Sequence, residues 1–428
     1  MRTLLGLTLA VVFLGASALT AAAPLTLDHV LAEVRARHPE IKSATATAAA
    51  DRERIVQAGA WEDPVAGFEL QRTNNHARVF GYDTAEFSFS QKIPLSGNRE
   101  RRRAAATAVA GVSAAAIHSR SFMLVAAARD AFFALLRTRE QLALVTASEH
   151  LLVQAADLVR SRLATGGADT TALLLAERER AELQERVFLL EREAADATAI
   201  LNTVRDLPPQ SPIGELAAPP ATASTPTFAS LEEAQAHALA HRPELREAAA
   251  RITAAARHED VAARAWHPDP EFMIKARHVQ AGGRVLNDYD TGVAVSLPWA
   301  NNDKYRSAQR EAARRREALE LDAATLRTKT AGEIREVWTR RDTALRSVAL
   351  YRDRLLPLAR QSADSLRIGL VTNKNSLTAL VAAQRALIDA QTTLAANVAD
   401  FQRYHALLAT LTGSGADVSP VGSVGAEK

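Results

Sequence analysis

Residues 84–103 read TAEFSFSQKIPLSGNRERRR, and they begin with alternating apolar and polar side chains. Phe87 and Phe89 occupy one set of alternate positions. The polar residues of the other set are Glu86, Ser88 and Ser90. A period of two is typical of a β-strand with one apolar and one polar face. The stretch therefore predicts a strand over residues 84–92.

The second half of the same stretch predicts an abrupt change from strand to helix. Pro94 ends the strand because it has no backbone N–H to donate. Ser96, Gly97 and Asn98 form a turn that includes a helix-capping residue, and Arg99 begins a long alanine-rich run. A strand that leads directly into a very long helix is the feature around which the chain is organised.

This strand-to-helix event occurs a second time, at residues 291–306. Adding 204 to a residue number maps one half of the chain onto the other without a gap. The matched pairs are Leu27 and Leu231, Pro39 and Pro243, Pro64 and Pro268, Phe68 and Phe272, Pro94 and Pro298, and Asn98 and Asn302. A single offset at so many points predicts an internal duplication. Each repeat, 23–206 and 230–412, is expected to contain a helix, two strands and a long helical hairpin.

The two ends of the chain and its middle differ from the repeats in composition. Residues 1–22 contain a short apolar run followed by small residues, which predicts a secretory signal peptide cleaved after Ala18 or Ala22. Residues 207–229 are proline-rich and are expected to form an extended connector. Residues 413–428 form a Gly/Ser/Ala tail that we expect to be disordered.

Composition and charge exclude several classes of protein. The chain has 47% hydrophobic and 24% charged residues, as a large folded protein does, and it has no cysteine for disulfides or thiolate metal sites. A net charge of +3 is too small for a nucleic-acid binder of this size. The dense basic run comprises Arg99, Arg101, Arg102 and Arg103. It is either a solvated helix start or a contact with an acidic neighbouring subunit or with lipid headgroups.

Four segments are predicted as strands of a membrane sheet: 65–72, 84–92, 271–279 and 291–297. Polar loops are expected at 74–82 and 281–290. Strands of about nine residues cross a bilayer when tilted, and charges on one face only suit a polar lumen and a lipid-facing exterior. The predicted lipid-facing residues are Phe68, Leu70, Phe87, Phe89, Phe272, Ile274, Val293 and Val295. The alternative is a pair of ordinary amphipathic hairpins on a soluble core.

If the sheet lies in a membrane, several chains must share it. Four strands cannot close a barrel, and a sheet in hydrocarbon cannot leave its edges unpaired. The helices predicted at 99–164 and 304–368 would each span about 100 Å. Because they combine alanine with regularly placed charges, they are expected to be water-bathed and coiled-coil-like. Each returns as a second helix, at 172–203 and 377–411.

The turns of the two helical hairpins, 165–171 and 369–376, are the predicted periplasmic tips and gate. The tip residues are Gly166, Gly167, Asp169, Gly369, Asn373, Lys374 and Asn375. Threefold symmetry would convert Asp169 into an acidic ring, or the carboxylate would pair with Lys374 of the adjacent hairpin. A turn-capping aspartate on a solvated loop is the alternative.

We find no sequence motif for catalysis or for a cofactor. No glycine-rich phosphate loop follows a strand and no nucleophile motif is present, so an enzyme is not predicted. His237 and His241 have helical metal-ligand spacing but no third ligand nearby in sequence, so no metal site is predicted. Three tryptophans flank the predicted strands, either for packing or as an aromatic girdle at the inner membrane interface: Trp61, Trp266 and, as the best girdle candidate, Trp299.

Several of these motifs together resemble the TolC-like outer-membrane efflux factor family, in particular its cobalt-zinc-cadmium resistance branch. They are HPEI at 38–41, RPEL at 242–245, QKIPLSGNR at 91–99, LPLA at 356–359, and then Gly369 and AQR at 383–385. The strand-to-helix junctions within this pattern are Pro94, Gly97, Asn98, Arg99, Pro298 and Asn302. The resemblance covers nearly the whole chain after the signal peptide.

The resemblance implies a homotrimer that shares a twelve-stranded outer-membrane β-barrel and continues into a periplasmic α-helical tunnel. It also implies docking to a periplasmic adaptor protein and an inner-membrane, proton-driven RND-type pump. The expected function is a passive exit duct in the outer membrane of a Gram-negative bacterium, for heavy-metal cations or alternatively for drugs. A soluble periplasmic coiled-coil adaptor and an exported hydrolase are the competing hypotheses, and the sequence favours neither.

Overall fold

A computed structural model describes residues 24–72, 84–164, 170–218, 228–281, 284–371 and 377–413. The predicted signal peptide, the loop at 74–82 and all but the first residue of the predicted C-terminal tail lie outside these residues. Most of each predicted hairpin tip lies outside them too.

The first half of the chain contains a helix pair, a strand hairpin and a long helical hairpin. Its helices are α1 Leu27–Arg37, α2 Pro39–Ala58, α3 Asn98–Ala164 and α4 Thr170–Val204. The hydroxyl of Thr26 accepts from the N–H of His29 and caps α1. Pro39 occupies the first position of α2, where its missing N–H would have no intrahelical partner, and this places the break between the two helices.

The second half repeats this order. Its helices are α5 Leu231–His241, α6 Pro243–Arg264, α7 Asn302–Leu350, α8 Leu356–Val371 and α9 Leu377–Leu411. Helices α5, α6 and α7 begin 204 residues after α1, α2 and α3 respectively, at Leu231, Pro243 and Asn302. The offset read from the sequence is therefore also the offset between the helix starts.

The strands form one antiparallel sheet in the order β1-β2-β3-β4. They are β1 Val65–Gln71, β2 Thr84–Lys92, β3 Pro270–Ala281 and β4 Arg284–Val295. The pairing of Phe89 with Ile274 belongs to the β2–β3 ladder, which joins the two halves of the chain. The sheet is thus continuous across the repeat boundary, although residues 93–269, 177 in number, separate β2 from β3 in sequence.

The predicted loop at 281–290 is wrong for most of its length. Strand β4 begins at Arg284, and all twelve of its residues pair with β3, from Arg284 opposite Ala281 to Val295 opposite Pro270. The sequence here is polar because both faces of the strand are exposed, so it lacks the alternation that identified the other strands. Backbone pairing with β3 forms the strand without that pattern.

Other predicted boundaries of the hairpins also need correction. Gly369 was expected in a turn but lies within α8, which continues to Val371, and Thr170 and Thr171 belong to α4. The long helix predicted at 304–368 is interrupted by a π-helical turn, Tyr351–Leu355. Pro357 explains the interruption, because a proline inside a helix lacks the N–H and clashes with the carbonyl four residues earlier.

The main core lies where α1 packs on the middle of α3. Phe132 and Leu135 of α3, Leu201 of α4 and Val30 of α1 are fully buried there. Within the described residues, one segment, Asn98–His150 of α3, is long and apolar enough to cross a membrane. Helices α2 and α6 pack along it, so most of its side chains are half-buried or buried.

The connector after α4 is held by two polar side chains. Asn202 is fully buried, and its amide N–H groups donate to the carbonyls of Pro209 (3.1 Å) and Ser211 (2.8 Å). The guanidinium of Arg139 donates to the carbonyls of Ile213 (2.9 Å) and Gly214 (2.5 Å). Because these carbonyls find fixed donors, the first part of the connector is an ordered, extended segment against α3 and α4.

Candidate functional site

One face of the sheet is apolar and uncovered in the chain. Phe68 is 69% exposed and Val293 is 59% exposed, on the two edge strands. The other predicted lipid-facing residues are exposed as well: Leu70, Phe87, Phe89, Phe272, Ile274 and Val295. The register places Phe68 opposite Phe87 and Phe272 opposite Val293, so these side chains form one continuous apolar surface. A surface of this kind marks contact with lipid or with another apolar partner.

The opposite face of the sheet is charged. The carboxylate of Glu86 on β2 lies 2.7 Å from Nζ of Lys275 and 3.9 Å from Nε of Arg277, both on β3. The guanidinium of Arg277 lies 3.5 Å from Asp288 and hydrogen bonds to Asp290, both on β4. These pairs are partly exposed, so each contributes at most about 1 kcal/mol. Their main consequence is that this face requires water.

The two edges of the sheet have no partner strand within the described residues. Strand β1 has seven residues and β4 has twelve, and each pairs with one neighbour. Unpaired backbone N–H and C=O groups are costly to place in hydrocarbon, and the apolar face extends to both edges. The sheet is therefore incomplete as a membrane structure until another chain pairs with it.

The first strand-to-helix junction is fixed by a buried serine. Ser96 donates its backbone N–H to the carboxylate of Asp269 (2.9 Å), and its carbonyl accepts from Nε of Arg264 (2.9 Å). Gly97 adopts φ +72°, a left-handed conformation that favours glycine, and Asn98 begins α3. The junction is thus tied to the segment between α6 and β3.

These contacts keep Asp269 ionised. Partial burial acts to raise the pKa of Asp269, but the hydrogen bonds from the Ser96 side chain and backbone, with the charges of Lys92 and Arg102, outweigh burial and lower it.

Pro94 lies before this junction in the segment that follows β2. At its start Ile93 donates to the carbonyl of Pro270 (2.9 Å), which extends the pairing of β2 with β3 by one bond.

The second junction is built differently. A short 3-10 turn, Pro298–Asn301, follows β4, with Pro298 buried, and Asn302 begins α7. At the first junction, the start of α3 carries an ion pair between Arg99 and Glu100 (2.6 Å). The predicted junction residues thus lie at equivalent points of the two repeats, although the hydrogen bonds around them differ.

The structure does not describe most of the predicted tip residues. Gly166, Gly167, Asp169, Asn373, Lys374 and Asn375 lie outside the described residues. Gly369 is buried within α8. The predicted ring or pairing of Asp169 and Lys374 stays a prediction.

Ion pairs between the two hairpins lie near the tips and were not found from the sequence. The guanidinium of Arg385 on α9 lies 3.0 Å from Glu179 and 3.3 Å from Glu182, both on α4. Arg186 of α4 lies 3.2 Å from Asp389 of α9. These charged residues line a cleft of about 440 Å³ between α4 and α9. Contacts between residues so distant in sequence have no local signal from which they could be predicted.

The histidine pair with metal-ligand spacing serves another purpose. The rings of His237 and His241 are stacked, with centroids 4.0 Å apart and planes 17° apart. Nδ1 of His237 donates to the carbonyl of Thr412 (2.7 Å), and Nδ1 of His241 donates to the carbonyl of His237 (2.9 Å). Parallel rings do not direct two lone pairs at one ion. The pair instead attaches the end of α9 to α5.

No protein-family model matches the sequence, and no curated protein matches it. Solved structures do match nearly the whole chain. The outer-membrane channel OprN has a TM-score of 0.76 at 16% identity, covering 91% of this chain and 90% of its own. CusC, whose structures concern folding and transmembrane channel formation, has a TM-score of 0.76 at 15% identity, and the match covers 91% of this chain and 92% of CusC. The outer membrane protein VceC from Vibrio cholerae has a TM-score of 0.73 at 16% identity, and the match covers 91% of this chain and 96% of VceC.

These comparisons define the class of fold. The chain has the fold of the TolC-like outer-membrane efflux channels, which combines long helices with a few strands per chain. The resemblance predicted from the sequence motifs is therefore confirmed at the level of fold. The solved structures that match this chain are channels and not enzymes.

Proposed function

We propose that this protein is an outer-membrane channel, a passive exit duct with most of its mass in the periplasm of a Gram-negative bacterium. The observation that carries the proposal is the sheet β1–β4. One face is apolar and exposed, the other holds the Glu86, Lys275 and Arg277 ion pairs, and both edges are unpaired within the described chain. A lipid-facing exterior, a wet lumen and a barrel shared between chains account for all three properties together.

The free edges support a homotrimer. Strand β4 of one chain would pair with β1 of the next, and three chains of four strands make a closed barrel of twelve. Closure removes every edge, which a membrane sheet requires. The inner face would then carry three copies of the Glu86–Lys275 pair around a water-filled lumen.

The helices supply the second part of the duct. Helix α3 alone has 67 residues, which at 1.5 Å per residue corresponds to about 100 Å. The hairpins α3–α4 and α7–α9 would form a periplasmic tunnel, and their tips would meet the adaptor protein and the RND-type pump. The predicted gate at Asp169 and Lys374 belongs to this tip.

The proposed cargo is heavy-metal cations. It rests on the sequence motifs shared with the cobalt-zinc-cadmium branch, because a duct need not bind what passes through it. A deletion strain plated on graded zinc, cobalt, cadmium and copper is expected to lose resistance. Sensitivity to drugs with unchanged metal resistance would assign the duct to drug efflux instead.

The assembly is tested with the purified full chain in detergent. We expect cross-linking and native mass measurement to give three chains, and planar bilayers to show a conducting pore. Mild heating should convert the trimer to monomer on a gel. A water-soluble monomer that stays stable without detergent would contradict the proposal, because it would leave both sheet edges unpaired.

A further inference from the structure

The sheet repeats its own construction every two strands. Hairpin β1–β2 belongs to the first repeat and β3–β4 to the second, and the β2–β3 ladder joins them. The helices beside the sheet follow the same order, because α3 packs on α2 and α6, and α6 packs on α7. In a closed ring, the pairing of β4 with β1 of the next copy is the counterpart of the β2–β3 ladder.

The offset between β2 and β4 is 204 residues. The proline that follows each strand keeps this offset, at Pro94 and Pro298, and so do the starts of helices α3 and α7. Both of these markers lie at the end of the strands that is next to the helices. By this offset, Phe87 of β2 corresponds to Thr291 of β4.

The offset between β1 and β3 is 206 residues instead. Phe68 lies opposite Phe87 in the first hairpin. Thr291, the counterpart of Phe87, lies opposite Ile274. Ile274 is therefore the structural counterpart of Phe68, two residues beyond Phe272, which the sequence repeat matched to it. The preceding helices account for the difference, because α6 has 22 residues and α2 has 20, although both begin at equivalent prolines.

These two offsets convert the β2–β3 register into a register for the seam between copies. Phe89 lies opposite Ile274. The counterpart of Phe89 is Val293, and that of Ile274 is Phe68. We propose that β4 pairs antiparallel with β1 of the partner subunit, with Val293 opposite Phe68 of the partner subunit. The inference rests on the proposed function, because it requires the closed ring.

The faces of the two strands agree with this register. Val293 and Phe68 both belong to the exposed apolar face. The next pair of the seam joins Gly292 to Glu69 of the partner subunit, and both belong to the face that carries Glu86. A shift by one residue would place Phe68 opposite Gly292 and turn every apolar side chain of the strand toward the polar face. A dry exterior and a wet lumen therefore exclude all odd shifts.

The tilt of the strands supports the same register among the even shifts. Directly opposite residues lead from Val65 through Ser90 and Met273 to Gly292, and across the proposed seam to Glu69 of the partner subunit. The path advances four residues per chain, so three chains of four strands give a shear equal to their twelve strands. Such a barrel has a tilt of about 36°, within the usual range of about 35–45°. Moving the seam by two residues would change the tilt to about 20° or about 47°.

Cysteine pairs test the register directly, since the chain has no native cysteine. Directly opposite residues have Cβ atoms about 4.5–5.5 Å apart, whereas residues displaced by two are about 7–8 Å apart, so the opposite pairs form disulfides more readily. Within one chain two strands separate β1 from β4, so a disulfide between these strands has to join two chains.

The first predicted pair is Val293→Cys with Phe68→Cys, in the full chain purified in detergent and then oxidised. Its matched control is Val293→Cys with Leu70→Cys, which moves one cysteine by two residues on the same apolar face. On a heated non-reducing gel, we expect the predicted pair to lose its monomer band to a covalent trimer and the control to keep it. Any other pattern, in variants that form the heat-dissociable trimer when reduced, overturns the register.

A second pair gives an independent test, including the case in which the first variant does not assemble. Thr291→Cys with Leu70→Cys is also predicted to be directly opposite, so here the Leu70→Cys thiol should react and the monomer band should be lost. The single substitution Val293→Cys should give no cross-link. A covalent dimer from this single variant would mean that β4 pairs with β4 of another copy, which overturns the head-to-tail seam.

Conductance separates this inference from the proposed function. Reduced variants that form trimers and conduct in planar bilayers, but cross-link in another pattern, refute the register and leave the channel intact. A wild-type chain that neither forms trimers in detergent nor conducts refutes the channel, and the seam with it.

Discussion

The carboxylate of Glu86 lies 2.7 Å from Nζ of Lys275, and this ion pair connects the two halves of a duplicated chain. Glu86 belongs to the first repeat and Lys275 to the second, on adjacent central strands of the sheet. The two copies therefore do not form separate domains at this end of the molecule. Both copies contribute positively and negatively charged side chains to one polar face, and that face forms the wall of the proposed lumen.

The two faces of β2 should respond oppositely to a new charge. Phe87→Asp places a carboxylate on the apolar face, where we expect a cost of a few kcal/mol and loss of membrane assembly. Ser88→Asp is expected to be tolerated, because Ser88 lies opposite Lys275 and beside Gly67, which leaves space for the larger side chain. Outer-membrane fractionation and heat-modifiable gel mobility measure both. Equal effects of the two substitutions would refute the assignment of faces.

Asp269 should make the first junction sensitive to acid. Its pKa is lowered in the folded chain, so its contribution to stability is present above the ordinary aspartate pKa of about 4 and is lost as pH falls through the folded pKa. Asp269→Asn should therefore lower the melting temperature at pH 7, and this difference should shrink as the pH falls below the ordinary aspartate pKa. Melting curves across this range measure it. Asp63→Asn, which changes an exposed aspartate before β1 in the first repeat, is the control and should leave the melting temperature unchanged.

Asn202 should stabilise the connector. Asn202→Ala leaves the carbonyls of Pro209 and Ser211 without these donors, and we expect a loss of about 2 kcal/mol and faster proteolysis within 207–218. Thr203→Ala is the matched control, because Thr203 is exposed and bonds only to the carbonyl of Ala199 in its own helix. Denaturant unfolding and limited proteolysis distinguish them. A connector that is cleaved at the same rate in both variants would contradict this role.

The hairpin tips should control resting conductance. Asp169→Ala and Lys374→Ala are each expected to raise the resting conductance of the trimer in a planar bilayer, or to change its cation selectivity, because one charge per chain becomes three around a narrow opening. Thr171→Ala, an uncharged change two residues beyond Asp169, is the control. Wild-type behaviour of both charge variants in an otherwise intact pore would rule out this gate.

Much of the architecture follows from local chemistry and was therefore predictable. Pro39, Pro243 and the junction at Asn98 set helix starts through residues whose backbone properties do not depend on the rest of the fold. The alternation in β2 depends on one face differing from the other, and it identified that strand. In β4 both faces are exposed between Arg284 and Asp290, so the same rule predicted a loop.

Contacts between distant segments could not be predicted in this way. Arg385 and Glu179 meet because α4 and α9 pack together, and neither has a sequence neighbourhood that signals the other. The same is true of Asn202, a polar residue whose two partners lie in a proline-rich segment that looked featureless. The π-helical turn before Pro357 does have a local cause, since a proline inside a helix perturbs the preceding turn, but the prediction of one continuous helix over 304–368 did not include it.

The unpaired edges of β1 and β4 have a genetic consequence. In a ring closed by head-to-tail seams, every chain contributes to two seams and no chain is dispensable. A variant that reaches the membrane with a damaged β1 edge would, when co-expressed with the normal chain, enter most of the rings and open a seam in each. Such an allele should be dominant over the wild type, whereas a variant that never assembles should be recessive.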